Sequence, residues 1–243
     1  MKITRILSLS IFLLLAGCMY PGVTDHPQPE LKVDHSPFDN GDCPPDKSGY
    51  YHVCTAGTPL YEVGCDRIEE ASDLLGGLNP SHPIAVCIYD PRRHPEISNA
   101  WNIPETEYFF NIGGPLPTLV RYVIQVDGKF QLIKKEEELR AVFAPVNSAE
   151  EALSTALTAH DLYAEYDMKL SPFYRYEVSA IEDTHVEEVE GGWLVHLFDY
   201  MFFGCGPHYY YAVDIKVTPD GRTGEVSRTK IYSDPLMDGL CQD

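Results

Sequence analysis

THVEEVEGGWLVHLF, residues 184–198, decides the fold class. Two short runs that alternate apolar and polar side chains flank the pair Gly191-Gly192, the pattern of an antiparallel hairpin. With Gly191-Gly192 as a two-residue turn, Glu190 faces Trp193 and Glu187 faces His196 across the strands. Further on, YYYAVDIKV (209–217) places Tyr209, Tyr211, Val213, Ile215 and Val217 on one face of a strand. TPDGRTGE then turns the chain back into VSRTKIY. On the other side of the hairpin, Tyr174, Tyr176 and Val178 alternate with Arg175, Glu177 and Ser179, again the pattern of a half-buried strand. The run is an antiparallel meander.

Helices precede it. Ser148-Ala149-Glu150-Glu151 matches a capping box. Ala149, Ala152, Leu153, Ala156, Leu157 and His160 then recur along one helical side, which makes this the main helix. The sequence predicts a shorter helix over Glu136 to Phe143, with Leu139, Val142 and Phe143 on one face and Pro145 ending it. Before that, YVIQV and KFQLI flank Asp127-Gly128, a favoured hairpin turn. The expectation for 118–243 is therefore an α+β domain: one main helix plus an antiparallel β-meander. Between Ser148 and Tyr232 the helix, the meander, Trp193 at a strand start and the D-G-x-x-G turn resemble PepSY-type domains; a cystatin-like or NTF2-like arrangement gives a similar trace. The PepSY resemblance implies an inhibitory or binding module of exported proteins.

The amino terminus gives the location. Met1-Lys2-Ile3-Thr4-Arg5 is basic, and Ile6 to Ala16 is apolar. About eleven apolar residues are too few for a membrane span, which needs roughly twenty, and fit the core of a signal peptide. Leu15-Ala16-Gly17-Cys18 resembles the lipobox of bacterial lipoproteins. The resemblance implies cleavage after residue 17, lipid on Cys18, and anchoring of the chain to a membrane of the cell envelope. Met19, rather than Asp, follows the lipidated cysteine, which favours the outer membrane in a Gram-negative host. Residues 18–46 are rich in Pro and Asp with no apolar period, so a flexible tether is expected there.

The chain holds 18 Lys and Arg against 37 Asp and Glu, a formal charge of −19, and loss of Lys2 and Arg5 with the signal makes it more acidic still. Such a chain repels phosphate backbones, so nucleic acid is excluded as a partner. Six cysteines remain beside Cys18: Cys43, Cys54, Cys65, Cys87, Cys205 and Cys241. An even number in an exported chain suggests disulfides, though sequence alone does not choose the pairs. Four lie between Gly41 and Tyr89 and two near the end, which makes pairing within each group the economical arrangement. Residues 47–117 are turn-rich with short strand candidates, and read as a small irregular/β subdomain stapled by its cysteines.

Motifs for catalysis are sparse. No G-x-S-x-G, H-E-x-x-H or paired C-x-x-C occurs, and His52, His82, His94, His160, His185, His196 and His208 are scattered. His160 reads as a last-turn residue favoured by the helix dipole, and Glu187 to Glu190 as a solvated strand and turn. No metal, cofactor or catalytic residue is assigned. Cys205-Gly206-Pro207-His208 is the one redox-like stretch, but it lacks the second cysteine of thioredoxin-type motifs. A disulfide to Cys241, pinning the carboxyl-terminal tail, needs less. The function expected is a membrane-anchored binding module whose partner is an envelope protein or peptide; the alternative is an envelope hydrolase or a thiol oxidoreductase using Cys205. The Cys18→Ser precursor should incorporate no palmitate on metabolic labelling; persistent label would sink the lipobox reading.

Overall fold

A computed structural model describes residues 21–39, 41–47, 52–94, 103–112 and 118–242. The lipobox and Cys18 lie outside the described residues. Among the described residues no helix is long and apolar enough to cross a membrane.

A three-residue strand, β1 (Gly22–Thr24), opens the described chain. The first main sheet comprises β2 (His52–Val53), β3 (Arg67–Glu70), β4 (Ile84–Tyr89), β5 (Phe110–Ile112), β6 (Thr118–Val126) and β7 (Lys129–Ile133). Its order is β2-β3-β4-β6-β5, with β7 also on β6, and every pair is antiparallel. β6 is the hub. One edge pairs with β4 from Ile84↔Ile124 to Tyr89↔Leu119, and the other takes β5 at Thr118–Val120 and β7 at Tyr122–Val126. The Asp127-Gly128 turn forms as expected, with positive φ at both residues (49° and 75°), the geometry that favours Gly, Asn and Asp there. The boundary expected between 117 and 118 therefore cuts through a sheet. The stretch 47–117 is not self-contained, because β4 needs β6 to satisfy its backbone groups.

Three α-helices occur in the described residues, beside short 3-10 turns: α1 (Pro59–Glu62), α2 (Glu136–Phe143) and α3 (Ala149–Ala159). The Ser148 hydroxyl accepts from the Glu151 N–H as a capping box requires, while the Glu151 carboxylate reaches one residue further out and accepts from the Asn147 N–H. One main helix understates the result, since α2 at eight residues stands beside α3 at eleven. The α2 sequence is short but buries Leu139 and Phe143.

The remaining strands are β8 (Arg175–Tyr176), β9 (Ala180–Glu182), β10 (His185–Val189), β11 (Gly192–Tyr200), β12 (Gly204–Cys205), β13 (Tyr209–Val217), β14 (Thr223–Ser233) and β15 (Cys241–Gln242). β10-β11-β13-β14-β8 form a second antiparallel sheet, while β9 pairs in parallel with β1 and β12 with β15. The fold is thus mixed α and β with mostly antiparallel sheets. Its main core lies where the elements converge. Ile84, Tyr122, Ile124 and Ile133 come from the first sheet, Leu139 and Phe143 from α2, Ala152, Leu153, Ala156 and Leu157 from α3, and Val195, Leu197, Val213, Ile215 and Val217 from the second sheet. Ser154 on α3 ties the halves further: its hydroxyl donates to the Leu74 carbonyl (2.6 Å) and accepts from the Gly77 N–H (3.1 Å).

Three disulfides form: Cys43–Cys54, Cys65–Cys87 and Cys205–Cys241. All are local to their group of cysteines. The Cys205 and Cys241 Cα atoms lie 4.1 Å apart, and the loop they close, with a sequence separation of 36, removes roughly 4 kcal/mol of unfolded-chain entropy in the loop-closure model. The stretch expected as a flexible tether is, over its described part, packed onto the fold. β1 pairs with β9, Val33 and Phe38 are buried, and Cys43 is cross-linked. The Pro-rich composition misled because a few apolar residues suffice when two sheets already offer a surface.

The β10–β11 register also differs from expectation. Val189 faces Gly192, Glu188 faces Trp193 and His185 faces His196, so the turn is Glu190-Gly191 and no Glu187–His196 cross-strand pair exists. The reason is Gly192. Its φ is +145°, and a Cβ there would drive into the Val217 carbonyl on β13, so this glycine belongs to the strand as a point of close backbone approach. Gly192→Ala should cost about 1–3 kcal/mol of unfolding free energy. Gly224→Ala, where a Cβ meets open space, should stay within about 0.5 kcal/mol of wild type. Chemical denaturation of the two variants tests the contrast, and equal stabilities would contradict the assignment.

Candidate functional site

The strand period of two divides β11 and β13 between two surfaces. Val195 and Leu197, with Val213 and Ile215, enter the main core, so His196 and Asp214, paired across the strands, must point to the other face. There they line an open groove of about 340 Å³, with Glu182, His185, Glu187 and Ser227 around it. His196 Nδ1 lies 2.7 Å from Asp214 Oδ1, and the Ser227 hydroxyl donates to Asp214 Oδ2 at 2.6 Å. The hydrogen bond from His196 holds the Asp214 carboxyl below its ordinary value of 3.8; burial opposes this and Ser227 reinforces it. Asp214 sits between the serine and the histidine. No proton path runs from Ser227 to His196, so the three do not make a nucleophilic triad, which needs the histidine in the middle.

The β10 end of the groove is held by buried polar groups. The Thr184 N–H donates to the Glu165 carbonyl, Thr184 Oγ1 accepts from the Glu165 N–H, and Asp183 Oδ2 accepts from the Asp167 N–H. These contacts aim His185 outward, where its ring stacks on His196 at 5.0 Å between centroids. On its opposite side His26 stacks at 4.2 Å, brought in by the β1–β9 pairing. Three histidines far apart in sequence thus form one column, flanked by Glu182, Glu187 and Asp214.

The other histidines of the sequence reading are dispersed in space as well. His52 Nδ1 contacts the Cys43 carbonyl, His82 meets the edge of Phe143, and His94 Nε2 lies 2.9 Å from the buried Asp66 carboxylate. His160 stands at the end of α3, as its C-cap. It takes an extended conformation, its Nε2 sits 2.9 Å from Thr223 Oγ1, and burial pushes its pKa down, against the effect of a helix dipole. His208 is buried, with its ring nitrogens 2.9 Å from the Met201 carbonyl and 3.2 Å from that of Leu240. It straps the tail down and does not face Cys205 as a base; Cys205 is in its disulfide with Cys241. Glu187, Glu188 and Glu190 are exposed, in keeping with a solvated strand and turn.

A second surface feature lies at the far end of the same sheet. Tyr174, Tyr232, Tyr210 and Tyr200 stack in succession at 4.8, 4.4 and 4.2 Å. The ladder leads to Phe202 and Phe203, which with Met201 are 38–44% exposed. Burial, with neighbouring phenols and carboxylates, pushes the Tyr210 hydroxyl up to about 12.

Comparison with family models, with curated proteins and with solved structures found no match to this chain.

The missed residues share one cause. His26 lies in the stretch read as tether, and Glu182, Asp214 and Ser227 carry no motif spacing. Only the alternation of DIKV and LVHLF held a signal, in that a histidine and an aspartate occupy the polar positions of neighbouring strands. Because Asp214 has a lowered folded pKa, the stability it contributes is present above its ordinary value and is lost as pH falls through the folded value. Wild type should therefore lose stability on acidification from about pH 5 downward, and Asp214→Asn should show a smaller loss over that range. Urea midpoints at stepped pH check this; parallel curves for the two proteins would contradict it.

Proposed function

We infer that this protein is an exported, lipid-anchored binding module of the cell envelope, docking an envelope protein or peptide on the Met201–Phe203 edge. The carrying observation is that edge: three consecutive large apolar side chains held in solvent, with Leu240 beside them in exposure at 37%. Contiguous apolar surface of this kind marks interaction sites on soluble domains, and aromatic residues and Met are enriched at interface cores. A cross-linked loop carries the edge, which lowers the entropic cost of docking. The tyrosine ladder backs it, and both the Cys205–Cys241 disulfide and the His208 strap fix the loop that carries it.

Export is supported by the three disulfides, since such cross-links persist in oxidising compartments. The lipobox reading supplies the anchor at Cys18, and Met19 points to the outer membrane in a Gram-negative host. The PepSY-like pattern over Ser148 to Tyr232 adds to the binding reading. An envelope hydrolase or a thiol oxidoreductase using Cys205 is less well supported: Cys205 carries no free thiol, and the only serine on the His196–Asp214 pair is on the wrong side of it.

Affinity capture from native envelopes, run in parallel with wild type and a Phe202→Ser/Phe203→Ser double variant, tests the docking face. Both side chains are exposed, so the variant should keep its thermal midpoint. A partner retained by wild type and reduced at least tenfold with the variant is expected; identical capture profiles would overturn this face.

A further inference from the structure

We propose that His26, Glu182 and His185 form a binding site for one divalent first-row transition-metal ion of the zinc type. The site is independent of the docking edge.

The fold assembles the three ligands from two distant segments. β1 and β9 run in parallel register, Gly22↔Ala180, Val23↔Ile181 and Thr24↔Glu182, and the Asp183 N–H donates to the Thr24 carbonyl at 2.9 Å. The chain leaving β1 is thereby held beside the corner that carries Glu182 and His185, and two residues on, His26 reaches it. His26 Nε2 lies 3.5 Å from Glu182 Oε2, and His185 Nε2 lies 3.7 Å from the same oxygen. The three ligand atoms all lie within 4.8 Å of one another. A tetrahedral ion with bonds of about 2.0–2.2 Å separates its ligand atoms by roughly 3.3–3.6 Å. Both imidazole–carboxylate distances are already near that value, and the remaining edge is within 4.8 Å.

The ligand chemistry agrees. His185 Nδ1 lies 2.8 Å from the Asp183 carbonyl, which can only accept, so this nitrogen carries a proton and Nε2, turned towards Glu182, is the nitrogen left to bind a metal. Metal-bound histidines are oriented by this type of outer hydrogen bond. His26 Nε2 is closed to solvent and makes no hydrogen bond. Water would complete the set; Glu187 Oε1, 3.7 Å from His185 Nε2, lies beside the three ligands rather than among them. Two imidazoles and a carboxylate suit zinc, copper, nickel or iron, and not magnesium or calcium, which take mostly oxygen. His196 stacks on the free side of His185, with Nδ1 on Asp214, and supports that ring from outside the ligand set.

The full chain in detergent, stripped with chelator, is titrated with Zn2+ by calorimetry, and with Mg2+ in a parallel run. One Zn2+ per chain is expected, with no response to Mg2+. Glu182→Gln, near-isosteric, and His185→Ala should each weaken Zn2+ binding at least tenfold, whereas His82→Gln, remote from the site, should not. Zinc binds the folded chain through residues held together only there, so it should also raise the thermal midpoint of wild type, and Glu182→Gln should abolish that rise while keeping its metal-free midpoint. Substitution by Co2+ should give the visible absorption of a low-symmetry four-coordinate site. Absence of stoichiometric Zn2+ binding, or binding unchanged in both Glu182→Gln and His185→Ala, overturns the proposal.

Discussion

The alternation of β11 and β13 against one shared core is the constraint on which the rest depends. Val195, Leu197, Val213, Ile215 and Val217 are all fully buried on one surface of the second sheet. A slip of one residue would turn every one of them to the opposite face and bring His196 and Asp214 inward. The penalty for burying that polar pair in place of valine and leucine makes the register unambiguous. Gly192 then sets where the hairpin turns, because only a glycine admits the Val217 carbonyl so close. The site is a by-product of this packing: once the apolar residues have chosen the core, the polar residues between them are delivered together to the outer groove.

The same logic extends to the first sheet. β6 serves β4 on one edge and β5 with β7 on the other, and its side chains divide between cores. Tyr122 and Ile124 enter the shared core, while Val123 joins Ala85, Cys87, Cys65 and Leu60 on the reverse face. That reverse face is small, and two disulfides, Cys43–Cys54 and Cys65–Cys87, lie within it. Where apolar area is scarce, cross-links restrict the unfolded chain instead. At the other end of the molecule, Cys205–Cys241 and His208 hold the tail beside the exposed Phe202 and Phe203. Exposed aromatics need such support, because a frayed loop would collapse them onto the nearest apolar surface.

Long-range pairing explains what the sequence left hidden. Strand alternation, the Asp127-Gly128 turn and the Ser148 cap are local signals, and each was legible. The β1–β9 pair joins residues more than a hundred and fifty positions apart, and nothing in the Pro-rich stretch around His26 announces it. The turn at Glu190-Gly191 was misplaced for a related reason: two adjacent glycines look alike in sequence, and only the approach of β13 assigns one of them to the strand. His160 shows the same limit in its charge state. Its place at a helix end was visible, but the burial against Thr223 that disfavours its protonated form comes from β14.

By itself the sequence determined the class of structure, the helix and strand faces, and the grouping of the cysteines, because these follow from periods of two and 3.6 and from separation along the chain. The resemblance of Leu15-Ala16-Gly17-Cys18 to a lipobox is likewise a reading of continuous sequence. Only the tertiary structure decided that the two halves share one sheet and one core, which glycine ends the hairpin, and which histidines meet. Those outcomes depend on the contacts between strands distant in sequence, where close packing admits one register and excludes its neighbours.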